Sequence, residues 1–385
     1  MHSTLPVQQE HPGQLPAPAD DRAGDGGART GGDGGRRDRL AALDGLRLVA
    51  ALMVVAYHYV AFDSGAWSVP ARTLFPTAHL PASYGWLGVQ LFFLISGFVI
   101  CMSCWGKSAG DFALARVARL YPAYWFAVLG VALVVRLWPS VNDAPALRSV
   151  AVNLTMLQDP LGVEPVDGVY WTLWVELRFY LLFALVVHRG LTYRRAVGFC
   201  VAWAFAAVVA EASGNGTLRQ ILMPDDCWYF IAGIAFYLMH RFRPNPVLWL
   251  LVGGSLFIAQ YDLIAAQARA EVHMGHRVPQ WPTAVLVTLF FLAVMAIALG
   301  WTRRVDWRWL PVAGTLTYPL YLLHERVGWV VIKHADGRVP PHVLLPALVA
   351  AMLLAAWLVH RCVERPLARR IKDGMRRAVR EIRNG

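Results

Sequence analysis

The chain has 385 residues, of which 57% are hydrophobic and only 16% charged, with a mean hydropathy of +0.43. Soluble domains carry about 45–50% apolar and about 25% charged residues, so a soluble globular protein is excluded and a polytopic membrane protein is implied. The net charge of +11 does not indicate a nucleic-acid partner, because the arginines fall in short runs between apolar segments and near the C-terminus, the pattern of a cytoplasmic membrane face.

Residues 1–39 are rich in Gly, Asp, Arg and Pro and nearly free of large apolar side chains. Such a segment buries too little surface to fold and lacks the apolar core of a signal peptide. It is expected to be a disordered cytoplasmic tail, with the first apolar helix acting as the insertion signal. Ten spans follow, each near the roughly 20 residues that cross a bilayer. They lie at about 41–62, 84–105, 118–138, 169–188, 195–212, 224–240, 245–261, 282–301, 311–333 and 341–361. The expected fold class is therefore all-α, a polytopic bundle of about ten transmembrane helices over 40–363, followed by a basic cytoplasmic tail at 364–385. Ten crossings leave both termini on one side. The arginines beside the first span, after the even-numbered spans and in the C-terminal tail make that side cytoplasmic. The expected location is the cell (inner) membrane, multi-pass.

The first span, LDGLRLVAALMVVAYHY, carries Arg47 and His58, and charged groups at mid-bilayer cost about 2.5–3.5 kcal/mol each. Eleven residues make nearly a whole number of helical turns, so both side chains share a face, about 16 Å apart along the axis. A cation near the cytoplasm suits an anionic cofactor, and a histidine further in suits a base. Snorkelling of Arg47 to lipid phosphates is the alternative. The pair in CMSC has no partner pair for a zinc site and no thioredoxin-like surroundings, so it is read as helix packing. At the entry of the third span, Arg116 and Arg119 stand three apart on one helical side, and paired guanidiniums match phosphate oxygens. The long external loops at 63–83 and 139–168 would meet a polar acceptor first. In the fourth span Glu176 lies at a depth comparable to His58, where a carboxylate can orient an imidazole and stabilise its protonated form. An ion pair with Arg178 or Arg47 is the alternative. The ninth span offers His324, Glu325 and Arg326, and Glu364 sits near the inner end of the tenth. His324, Asp63 and Trp171 are taken as acceptor-side candidates. The sequence contains neither a G-x-S-x-G elbow nor an H-E-x-x-H zinc helix, so no metal is expected.

Together LDGLRLVAALMVVAYH, GVQLFFLISGFVI, RVARLYP, YWTLWVELRFYLL and YPLYLLH resemble the acyltransferase-three family of integral-membrane O-acyltransferases, over about 41–362. The resemblance implies transfer of an acyl group, usually acetyl from acetyl-CoA, to a hydroxyl. Its motif arginine and histidine fall on Arg47 and His58, its paired arginines on Arg116 and Arg119, and a motif glutamate on Glu176. Two departures are Gln90, where the family often has aspartate, and Leu177, where it often has a second glutamate.

The expected function is O-acylation of a carbohydrate or glycoconjugate hydroxyl. Arg47, Arg116 and Arg119 would bind acyl-CoA as co-substrate, His58 would be general base, and Glu176 would orient it. An acyl-histidine relay is equally compatible with these residues. O-acylation of a macrolide or other secondary metabolite is the alternative within the class. A sugar or acyl-sugar transporter is the alternative outside it, since polar groups within spans fit transport as well. The bilayer, the acyl donor and the acceptor are the expected partners.

Overall fold

The computed structural model describes residues 40–384 except Asn142 and Asp306, with backbone alone for 376 and 378–384. The tail expected at 1–39 lies outside the described residues. Eleven long helices form the bundle. They are α1 (Ala41–Ala56), α2 (Gly88–Cys104), α3 (Ala109–Leu137), α4 (Trp171–His188), α5 (Tyr193–Ser213), α6 (Cys227–Arg241), α7 (Pro246–Met274), α8 (Trp281–Ala298), α9 (Leu310–Ala335), α10 (Pro341–Val359) and α11 (Arg365–Asn384). Short helices at Ala71–Leu74, His79–Ala82, Leu147–Asn153 and Gly216–Leu222 lie in the connections, and the described residues contain no strand. The architecture is the all-α polytopic bundle expected from composition.

Local sequence sets the helix ends. Ser108, Thr192 and Asn245 accept from the backbone N–H groups of Asp111, Arg195 and Leu248, capping α3, α5 and α7. Gly275 ends α7 with a φ of +69°, a left-handed cap that costs glycine little. Among the described residues nine helical segments are long and apolar enough to cross a membrane. Helix α9 is not among them, because Thr315, Thr317, Tyr318, Tyr321, His324, Glu325 and Arg326 dilute its hydropathy. It nonetheless runs for 26 residues and packs against α1, α3 and α10. Polar groups at that position face protein rather than lipid. Outward faces carry Leu129, Leu133, Phe205, Leu250 and Phe257, all exposed, as a lipid-facing surface requires.

Two expected boundaries differ. The third span begins at Ala109, so Arg116 and Arg119 stand within a 29-residue helix rather than in the loop before it. The seventh reaches Met274 instead of stopping near 261. Its extra turns, DLIAAQARAEVHM, are strong helix formers. They read as a loop only because they are too polar for a span.

Close helix contact is made by glycine. A Cβ on Gly97 would collide with the carbonyl of Phe230, and one on Gly233 with that of Leu94, so α2 and α6 touch backbone to backbone. Helix α1 is held between α2 and α9. That arrangement carries Arg47, and His58 just beyond the end of α1, into the bundle.

Candidate active site

Regular helix α1 ends at Ala56, and Tyr57–Ala61 continues as one π-helical turn closed by Phe62 N–H donating to Tyr57 O at 2.8 Å. Turns of this kind concentrate at functional sites because the extra residue re-aims a side chain and frees carbonyls. Here the His58 carbonyl accepts from Trp329 Nε1 at 2.9 Å, and the Tyr59 carbonyl accepts from Trp67 Nε1 at 2.9 Å. Tyr59 OH donates to the His324 carbonyl at 2.7 Å. Gly328 leaves room for that ring, since a Cβ there would strike it. The wide turn also alters the register assumed for a regular helix. Arg47 lies in the regular part of α1 and His58 in the turn beyond it, and the two line different cavities.

The hydrogen bonds fix the state of the imidazole. A carbonyl oxygen only accepts, so His324 Nδ1, 2.9 Å from Tyr321 O, carries its ring's proton. In the neutral ring Nε2 is then an acceptor. It lies 3.1 Å from His58 Nδ1, which is also 2.9 Å from the Val54 carbonyl. Two acceptors facing one nitrogen assign the proton to His58 Nδ1 and leave the lone pair on Nε2. That nitrogen is 3.7 Å from Glu325 Oε2, a buried oxygen with no hydrogen-bond partner. The arrangement is a chain, Tyr321 O to His324 to His58, with a bare basic nitrogen at its end.

Glu325 is the carboxylate that meets His58. The sequence reading paired His58 with Glu176, and the structure places Glu176 elsewhere. Its Oε1 accepts from Ser96 Oγ at 2.7 Å and from the Tyr180 hydroxyl, and no carboxylate but Glu325 lies within 4.0 Å of His58 among the described residues. Matched depth along two helices said nothing about azimuth, and α4 turns Glu176 toward the arginines. Glu325 itself packs on Gly168, where a Cβ would press on both carboxyl oxygens. Its carboxyl lies beside that of Asp167. Asp167 accepts from the N–H groups of Val169 and Arg326 at 3.3 and 3.2 Å. Burial pushes the Asp167 carboxyl above its ordinary range.

The expected arginines do converge. Arg47, Arg116 and Arg119 line one cavity of about 110 Å³ with Ser96, Glu176, Tyr180, Tyr318 and Tyr321. Arg116 lies 5.8 Å from the Tyr180 ring and Arg119 5.7 Å from that of Tyr318. Arg119 also pairs with buried Glu364, which His360 contacts at 3.0 Å from a second π-helical turn, His360–Glu364. The Arg116 Nε is buried without a partner, an orphaned donor aimed where an anion would be welcome.

His58 and Glu325 belong to a larger cavity of about 620 Å³, lined also by Trp86, Gln90, Trp171, Tyr229, Asp225, Asp226, Asp262, Arg269 and His273. Val89 and Tyr321 line both cavities, so the two abut there. Trp171 is an acceptor-side candidate that faces the larger cavity. His324 lines neither of these two cavities; it is fully buried and bonds His58. Asp63 lines a separate cleft of about 310 Å³ with Trp67, His79 and His276. Gln90, the first departure from the family pattern, is a cavity-wall residue whose side-chain amide faces the carbonyls of Trp86 and Leu87. Leu177 is half-buried packing. Among the described residues no cluster of three His, Cys, Asp or Glu converges on a metal position. All five cysteines are free, as the packing reading of CMSC implies.

Comparison with known proteins places these features in a lineage. A family described as an acyltransferase domain matches residues 40–361. Acyltransferase MdmB of Streptomyces mycarofaciens is 26% identical, over 89% of this chain and 94% of its own length. The exopolysaccharide production protein ExoZ of Rhizobium meliloti is 29% identical, over 74% of this chain and 90% of its own. The peptidoglycan O-acetyltransferase OatA of Listeria monocytogenes is 23% identical, over 86% of this chain and 56% of its own. No solved structure matches the chain.

Proposed function

The chain belongs to the acyltransferase-three family of integral-membrane acyltransferases, and on that premise we propose that it transfers an acyl group, acetyl foremost, from acyl-CoA to a hydroxyl of a carbohydrate or glycoconjugate. The observation that carries the reading is the bare Nε2 of His58, set in a large cavity that abuts a small arginine-lined one. The relatives named for exopolysaccharide production and for peptidoglycan O-acetylation support a saccharide acceptor.

Donor and acceptor divide between the cavities. Arg47, Arg116 and Arg119 offer guanidinium forks to phosphate oxygens. The phosphates are held by the arginines that line the small cavity. The arm then reaches past Val89 and Tyr321 toward His58. An acceptor hydroxyl in the larger cavity gives its proton to His58 Nε2 while its oxygen attacks the thioester carbon. The new C–O bond forms, the C–S bond breaks, and the imidazolium returns the proton to the departing thiolate. Glu325 stabilises the imidazolium between those events, and His324 holds the ring in the reactive tautomer. General-base catalysis of this kind contributes about 10²–10⁴-fold. Glu176 belongs to the donor side, where it positions the arginines through Tyr180 and Ser96. With both termini cytoplasmic, as the arginine distribution favours, the donor enters from the cytoplasm, and the larger cavity lies at the far end of α1.

Acceptor-dependent release of CoA thiol from acetyl-CoA by purified membranes tests the proposal. Release that rises with a glycan fraction is the expected result. Acetyl-CoA-independent flux of sugar across sealed vesicles, without thiol release, would replace it with transport.

A further inference from the structure

A second histidine pair stands apart from the candidate active site. His79 opens the short helix His79–Ala82, and His276 follows Gly275, the residue that ends α7. Both line the cleft of about 310 Å³ that also holds Asp63 and Arg72. They are 197 positions apart in the chain, yet their Nε2 atoms meet at 3.2 Å.

The partners of the other ring nitrogens decide what those two atoms carry. His79 Nδ1 is 2.7 Å from the Val60 carbonyl, and His276 Nδ1 is 3.0 Å from the Met274 carbonyl. A carbonyl oxygen only accepts, so each Nδ1 holds its ring's proton. Each neutral ring then presents a lone pair at Nε2. Two lone pairs facing each other at 3.2 Å repel unless an electron-pair acceptor sits between them.

A shared proton and a metal ion can both play that part, and three observations favour the metal. The ring centres are only 4.8 Å apart, with their planes at 36°. A linear N–H···N bond would hold the centres farther apart, so the lone pairs are inclined to the line joining the nitrogens, poor geometry for a hydrogen bond. Zinc–imidazole bonds of about 2.0–2.1 Å in a tetrahedral shell place two ligand nitrogens about 3.3–3.4 Å apart, close to the separation found. A ligating histidine also characteristically donates its other N–H to a carbonyl or carboxylate, which fixes its tautomer, and both rings do so here. Asp63 and Arg72 balance each other's charge on the cleft wall. Among the described residues no group of three such side chains gathers, so the two imidazoles are the protein's ligands and solvent completes the shell.

We propose that His79 and His276 bind a divalent transition metal, zinc foremost, through their Nε2 atoms. The ion ties the connection after α1 to the end of α7. Through the bond from His79 to Val60 it braces the π-helical turn that carries His58. The site has no part in the acyl-transfer step and does not rest on that reading.

Zinc titration of the full chain tests the proposal, with the protein purified in detergent without a histidine tag and stripped by a chelator. Competition against a chromophoric zinc chelator is expected to count a single ion per chain. His79→Asn and His276→Asn keep an amide donor for the backbone carbonyl and lose the Nε2 lone pair, and each is expected to weaken binding at least about tenfold. Zinc is expected to raise the midpoint of thermal unfolding in wild type and in neither variant, because only a folded form that binds gains stability. Copper(II) in place of zinc is expected to show imidazole-nitrogen splitting in its electron paramagnetic resonance spectrum, a readout that needs no variant. Lack of saturable zinc binding, the result a shared proton predicts, would overturn the proposal. So would equal binding by both variants, or a copper spectrum without imidazole nitrogen.

Discussion

At the scale of single residues, the site separates Glu325 from Glu176, the glutamate that the sequence placed beside His58. Glu325 faces His58 Nε2 at 3.7 Å, whereas Glu176 is bonded to Ser96 and Tyr180 in the arginine cavity. On the proposed mechanism Glu325→Gln removes the charge that stabilises the imidazolium, so kcat is expected to fall about 10–100-fold with little change in donor KM, since base assistance as a whole is worth about 10²–10⁴-fold. Glu176→Gln is expected to raise the KM for acetyl-CoA and spare kcat at saturation. Steady-state kinetics of both variants decides the assignment, and the opposite split would restore Glu176 to His58. His58 and the arginines were legible in the sequence because charge inside an apolar run is conspicuous. Glu325 was visible but unassigned, since spacing along a helix fixes depth and not which neighbour a face meets. His324 was marked for the acceptor side. Only the network shows it buried, setting the tautomer of His58.

At the scale of elements, hydropathy located the spans and failed at their ends. Helix α9 fails the apolar criterion that the other spans satisfy, yet it brings His324, Glu325 and Trp329 to His58, so a purely apolar criterion passes over a helix of the candidate site. Helix α7 runs thirteen residues beyond the expected 261, to Met274, and those turns supply Asp262, Arg269 and His273 to the larger cavity. Neither π-helical turn could be read from sequence, because the insertion that makes one is a matter of hydrogen-bond register. Helices α2 and α6 depend on bare backbone at Gly97 and Gly233. Gly233→Leu forces them apart, and overpacking of this sort costs about 1–3 kcal/mol. A lower midpoint of thermal unfolding in detergent is the expected outcome. An unchanged midpoint would mean that the α2–α6 contact is not the rigid seam described.

For the molecule as a whole, composition alone dictated an all-α membrane bundle, and the family match over 40–361 agrees with it. What composition could not supply is the division of the interior. Two cavities of about 110 and 620 Å³ meet only at Val89 and Tyr321, so donor binding and chemistry are assigned to different residues. The most direct test measures acetyl-CoA affinity and acceptor-dependent turnover side by side in wild type, His58→Ala and Arg119→Ala. His58→Ala is expected to bind acetyl-CoA within about threefold of wild type while turnover drops at least about 100-fold. Arg119→Ala is expected to lose affinity about tenfold or more, as removal of one charge-assisted phosphate contact implies. Turnover within a fewfold of wild type in His58→Ala, or unaltered affinity in Arg119→Ala, would contradict the account.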